Sequence, residues 1–192
     1  MIVTTSPFTP THDNNTHSVT GVGRQRRTAG WVLGSAMVAT GLIAGLFYSY
    51  AVSVMLGLAK TDDRTFVSAM QRINEAIQNA AFLPVFFGAF VLPAVAAVLH
   101  RRLGMRDASR WILAGAILYG IGLAITFGIN IPLNNELDQA GDPDRIANLA
   151  AVRDHFEGPW VAWNIVRGLF STVALGCLGR ALILHGNSPG RG

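Results

Sequence analysis

The sequence predicts an all-α protein: a polytopic membrane protein whose four transmembrane helices form a bundle, with a short amphipathic helix in the outer connections. Three observations carry that prediction. Charged residues make up 14% of the 192-residue chain and hydrophobic ones 51%, whereas soluble domains carry about 25% charge. Four apolar runs, 30–58, 76–99, 111–133 and 161–184, follow one another along the chain, each at or above the roughly 20 residues that a helix needs to cross the hydrocarbon core. The basic residues gather in alternate connections, a pattern that orients membrane helices.

The first 29 residues are rich in Thr, Asn, Ser and Pro and lack apolar periodicity, so they read as a disordered cytoplasmic tail. The membrane domain is placed at 30–185 and a flexible tail at 186–192. The first run is too long for the apolar core of a secretory signal, and the segment before it too long for an ordinary n-region, so it is expected to be retained as a helix. Pro84, Pro93 and Pro132 fall inside or at the ends of later runs, which membrane helices tolerate when neighbours re-satisfy the backbone. Gly41, Gly45 and the glycines from Gly115 to Gly128 allow helices to approach closely, within one chain or in a homo-oligomer.

The connections differ. Asp62 to Gln78 reads as an amphipathic helix running into the second span, with Phe66, Met70, Ile73 and Ile77 on its apolar face. In the acidic connection, Asn134 to Gly158, Asp142-Pro143 reads as a helix start. Ile146, Leu149, Ala150 and Val152 then suggest a short helix on the outer membrane surface. The amino-terminal segment, the second connection and the carboxy-terminal segment hold nine of the fifteen Lys and Arg residues, with only Asp13 and Asp107 as acids. The other two connections hold the remaining nine acids. Both termini are therefore expected in the cytoplasm, with the protein integral to a membrane of the bacterial plasma-membrane type. The same asymmetry accounts for the basic balance better than nucleic acid does, because the arginines are not interleaved with aromatics on a soluble face.

Polar residues in the apolar runs are not scattered. Ser49, Tyr50 and Ser53 share a face of the first run; Asn74 and Gln78 lie one turn apart before the second. Thr126, Asn130 and Asn134 descend the third at i, i+4, i+8, and Trp160, Trp163, Asn164 and Arg167 recur at helical spacing in the fourth. All belong to the outer half, where they could converge on one pocket. An ionisable residue within a span costs roughly 3 kcal/mol on insertion scales and normally faces the bundle interior. The plainer readings stand beside this one. Asn and Ser serve as interhelical glue worth about 0.6 kcal/mol each, Arg167 could snorkel to the interface, and the tryptophans could be interfacial anchors. His155 and Glu157, two residues apart, make a poor metal pair, and the lone Cys177 reads as a packing residue. There is no glycine-rich phosphate loop, no CxxC pair and no Ser-His-Asp set, so neither a metal nor a resident cofactor is expected.

Four segments carry a family resemblance. They are the run from Phe47 to Leu58, the run from Phe66 to Asn74, Asn130-Ile131-Pro132-Leu133-Asn134-Asn135-Glu136-Leu137, and Phe156 to Arg167 with its Trp-x-x-Trp-Asn-x-x-Arg pattern. Together they resemble the anthrone-oxygenase-like family of small membrane proteins, over about Trp31 to Leu184. The resemblance implies a four-helix membrane bundle. It also implies oxidation of anthrones to anthraquinones without a recognised metal or flavin, molecular oxygen being the co-substrate. In that reading Arg167 stabilises an enolate or developing peroxide, and Asn130, Asn134 and Asn164 bond carbonyl and phenol oxygens. Tyr50, Trp160 and Trp163 stack on flat rings, and His155 or Glu157 serves as base. The partners are then membrane lipids and a hydrophobic aromatic small molecule. The alternative is a non-catalytic membrane protein that binds a lipid, a quinone or a partner helix in the same place. A small-molecule transporter is disfavoured because the sequence shows no inverted repeat.

Overall fold

A computed structural model describes residues 15–188, and side chains from residue 21. Residues 1–14 and 189–192, with the ends of both expected tails, lie outside the described residues. Five helices make up the described residues. Helix α1 (Asn15–Ser49) continues through a π-helical segment, Tyr50–Val54, into a last turn, Met55–Leu58. Helix α2 is Asp63–Ala76 and α3 is Phe82–Arg102. Helix α4 (Arg106–Ile125) passes through a second π-helical segment, Thr126–Asn130, and runs on as Ile131–Gln139. Helix α5 is Leu149–Asn187. Four of these are long and apolar enough to cross a membrane, by length and composition.

The long helices form a ring in chain order, with α1 against α3 and α5, and α4 against α3 and α5. Small residues close one half. Leu33, Ala36, Ala96, Ala97, Ile112, Leu178 and Ala181 form a buried cluster towards the end that carries the arginine-rich connection. Gly104, at φ +76°, makes the turn between α3 and α4 there, a backbone state that favours glycine. We call this the basic end. At the opposite, acidic end, α2 lies across the bundle. Phe66, Val67 and Met70 pack on Met55, Leu137, Phe156 and Trp160. Arg153 of α5 fastens this cap: it donates to Glu157 (2.7 Å), Asp63 (3.0 Å) and the carbonyls of Thr61 and Ala59, and lies 4.6 Å from the centre of the Phe66 ring.

Three sequence expectations are corrected here. The expected tail is helical from Asn15, because α1 begins one run of residues before its apolar portion. The amphipathic helix does not run into the second span: Asn79 accepts hydrogen bonds from the N–H groups of Ala81 and Phe82, which breaks the chain after Ala76 and starts α3 afresh. Asp142-Pro143 is a turn, with Arg145 N–H bonded to the Asp142 carbonyl. Asn148 instead caps the helix start through Ala151 N–H, and no separate surface helix forms, because Leu149 onward is already α5.

Candidate functional site

Between the acidic cap and the tight half lies a cavity of about 330 Å³, within the range of small-molecule sites. Every helix contributes to it. Helix α1 gives Leu46, Phe47 and Tyr50; α2 and the linker after it give Ile73, Asn74, Ile77 and Gln78. Helix α3 gives Phe82, Leu83, Phe86 and Phe87, and α4 gives Thr126, Phe127, Ile131, Asn134 and Asn135. Helix α5 gives Trp160, Asn164 and Arg167. Both π-helical segments sit at this level, closing with Met55 N–H on the Tyr50 carbonyl and Ile131 N–H on the Thr126 carbonyl. Such wide turns re-aim side chains and recur at functional sites.

The polar side chains form two hydrogen-bonded groups, which meet where Arg167 lies beside the Trp160 ring. Arg167, 6% exposed, donates to Thr126 Oγ1 (3.2 Å) and to Asn164 Oδ1 (3.1 Å). Its guanidinium carbon stands 4.4 Å from the Phe47 ring centre and 5.8 Å from that of Trp160. Asn164 in turn donates to the Phe47 carbonyl at 3.1 Å. Trp160 donates its indole N–H to Asn134 Oδ1 at 2.7 Å, and its ring meets Tyr50 at 5.6 Å. Burial with neutral partners and two aromatic faces replaces the snorkelling reading of Arg167: its head is held inside the bundle. Apart from Asn74, Gln78 and Asn135, the rest of the wall is apolar. Phe82 stacks on Phe86 at 5.2 Å, and Phe87 on Phe127 at 6.5 Å. Leu83, Phe87 and Phe127 are also exposed on the outer face of the bundle, so the cavity opens sideways between α3 and α4. Gln78 and Asn135 are the exposed polar residues of its mouth.

Among the residues that the sequence singled out, Tyr50, Asn74, Gln78, Thr126, Asn134, Trp160, Asn164 and Arg167 line this cavity. Asn130 is buried just behind the wall, its amide directed at the Trp160 carbonyl at 3.4 Å. Three further candidates lie away from the cavity. Trp163 is 37% exposed, lying about 60° round α5 from Trp160 and off the inward stripe. His155 is exposed and bonded to Glu136 at 2.9 Å, over a separate groove between α4 and α5. Glu157 is tied to Arg153. Ser49 and Ser53 are exposed away from the cavity. Sequence reasoning missed Phe47 and the phenylalanines of α3, whose apolar character is unremarkable inside apolar helices. Arg153 was missed too, although its place four residues before Glu157 was a signal.

The sequence profile of a family described as anthrone oxygenase matches residues 79–177, just over half of the chain. That stretch holds α3, α4 and most of α5, and so includes Phe86, Thr126, Asn134, Trp160, Asn164 and Arg167 of the cavity wall. No curated protein and no solved structure matches the chain.

Proposed function

The chain belongs to the anthrone oxygenase family, and from that premise we propose that it oxidises a flat phenolic, anthrone-type substrate with molecular oxygen, without a resident cofactor. The observation that carries the reading is Arg167, buried in an aromatic-walled cavity with neutral partners. An anthrone has an acidic methylene between two aromatic rings. Loss of one proton gives an enolate, whose carbon bonds to dioxygen to form a peroxide anion. That anion takes up a proton; the carbon then loses its second hydrogen as a proton while the O–O bond breaks, expelling water and leaving a carbonyl. One dioxygen is consumed and one water released per quinone. Arg167 stabilises the negative charge as it develops, while Asn134 and Asn164 orient the oxygens and Tyr50, Trp160 and Phe86 hold the rings. Protons leave to water at the mouth beside Gln78 and Asn135.

The orientation that fits this reading puts both termini in the cytoplasm and the cavity in the outer leaflet of a bacterial plasma membrane, open sideways to dissolved aromatics. One observation favours a second reading: no carboxylate or histidine is among the described lining residues, so the cavity could hold a lipid, a quinone or a partner helix without chemistry. Oxygen uptake by purified, detergent-solubilised protein given a hydroxylated anthrone separates the two. Uptake and quinone formation well above both Arg167→Ala and a protein-free blank support oxidation. Coincidence of all three traces leaves binding alone.

A further inference from the structure

The cavity holds a charge that its own walls do not balance. The ion pairs among the described residues involve Arg64, Arg110, Arg145, Arg153 and His155; none involves Arg167. The hydrogen-bond partners of Arg167, Thr126 and Asn164, are neutral, and its Nε–H is buried with no acceptor at all. Asn74, also in the lining, likewise buries an amide nitrogen without a partner. Asn134 has its oxygen engaged by the Trp160 indole, which leaves its N–H groups to face a ligand. Around Arg167 the wall therefore still offers positive charge and N–H donors, with the amide acceptors of Gln78 and Asn135 out at the mouth. A buried cation without a counter-charge is strongly disfavoured unless a ligand brings one.

We infer that the cavity takes its flat aromatic ligand as an oxyanion, a planar aromatic carboxylate or phenolate drawn to the guanidinium of Arg167. This rests on the aromatic-pocket reading above and narrows it: the negative charge is present on the ligand when it binds, before any reaction. The rings then lie against Phe47, Tyr50, Phe86 and Phe87, while the lateral opening between α3 and α4 admits them from the bilayer.

The test uses the full chain in nanodiscs of zwitterionic lipid, with protein-free nanodiscs as blank, and equilibrium dialysis of two probes of like shape. These are anthraquinone-2-carboxylate and the neutral anthraquinone-2-carboxamide. The carboxylate is expected to bind at least about tenfold more tightly, as a charge-assisted hydrogen bond implies. Arg167→Gln removes that preference, and Arg167→Lys keeps part of it. Because the comparison of probes is made on the unaltered protein, it does not depend on either variant folding. Equal binding of the two probes overturns the inference and leaves the flat aromatic pocket standing. An Arg167→Gln protein that folds and still prefers the acid also overturns it. Binding of neither probe above the blank removes both this inference and the reading on which it rests.

Discussion

The two ends of the bundle are built from the same kind of helix but packed to opposite purposes. At the basic end and through the adjoining half, helices touch almost backbone to backbone. A Cβ added at Gly115 would lie 3.2 Å from the Ala174 carbonyl oxygen, and one at Gly30 would lie 2.9 Å from the His185 ring. The histidine pair there is satisfied, while the buried Thr40 and Ser171 hydroxyls of the adjoining half have no partner. His100 is fully buried, with Nδ1 2.8 Å from the Ala96 carbonyl and Nε2 3.0 Å from His185 Nδ1. Since a carbonyl only accepts, His100 carries its proton on Nδ1 and accepts the His185 N–H at Nε2. At the acidic end, two π-helical segments and a row of phenylalanines hold the helices apart, and polar donors are left without partners. Closeness from glycine and alanine gives stability, and spacing from aromatics and wide turns gives a site.

Substitutions can break or sharpen this contrast. The largest effect is expected from Arg167→Ala, which should cut oxygen uptake with a hydroxylated anthrone by about 100-fold or more, measured with an oxygen electrode. Gly115→Leu should destabilise the tight half by about 1–3 kcal/mol through overpacking while probe binding in the cavity of the folded protein persists. Thermal unfolding in detergent would show it. Gly122→Ala, where an added Cβ meets nothing within 4 Å, is its control and should stabilise by up to about 1 kcal/mol. Trp160→Phe removes the donor that holds Asn134 and should weaken probe binding by about 1 kcal/mol, roughly fivefold. His155→Ala should leave anthrone oxidation within about twofold, because its ring faces Glu136 and another groove. The smallest effect concerns the cap. Hydrogen bonds from the Thr65 hydroxyl and N–H hold the Asp62 carboxyl below its ordinary range. Its stabilising contribution is thus present above the unfolded carboxylate pKa and lost as pH falls through the lower folded one. Hydrogen exchange in the first turn of α2 should quicken in acid, and Asp62→Ala should abolish that dependence.

The four spans were legible because length and apolar content settle whether a segment can cross a membrane. Much of the site was legible for a related reason: a polar atom inside an apolar run has few places to go, so Tyr50, Asn134, Trp160, Asn164 and Arg167 could be read from helical spacing alone. What spacing could not give was phase. Trp163 sits one step off the stripe that Trp160, Asn164 and Arg167 define, and only packing decides which side of that stripe faces inward. The base candidates lie off the cavity for another cause. His155 and Glu157 are close to Trp160 in sequence, yet Glu136 and Arg153 engage them at the acidic end. The break before α3 depended on the side chain of Asn79, a local competition that hydropathy does not register.

The π-helical segments carry a consequence for how this chain can change. A π turn contains one residue more than an α turn, so each one offsets everything beyond it by about 100° round the helix. Were Tyr50–Val54 to become plain α-helix with no residue removed, Met55 would swing about 100° out of its place among Phe66, Val67 and Met70, whereas deleting one residue there cancels the offset and keeps it in place. The same holds for Asn134 and Leu137 beyond Thr126–Asn130. Most membrane helices tolerate drift in length at their ends. Here the site is written partly in residue count: a single-residue deletion inside these two stretches should keep Met55, Asn134 and Leu137 facing inward, where the same deletion in the plain helix before them would turn them away.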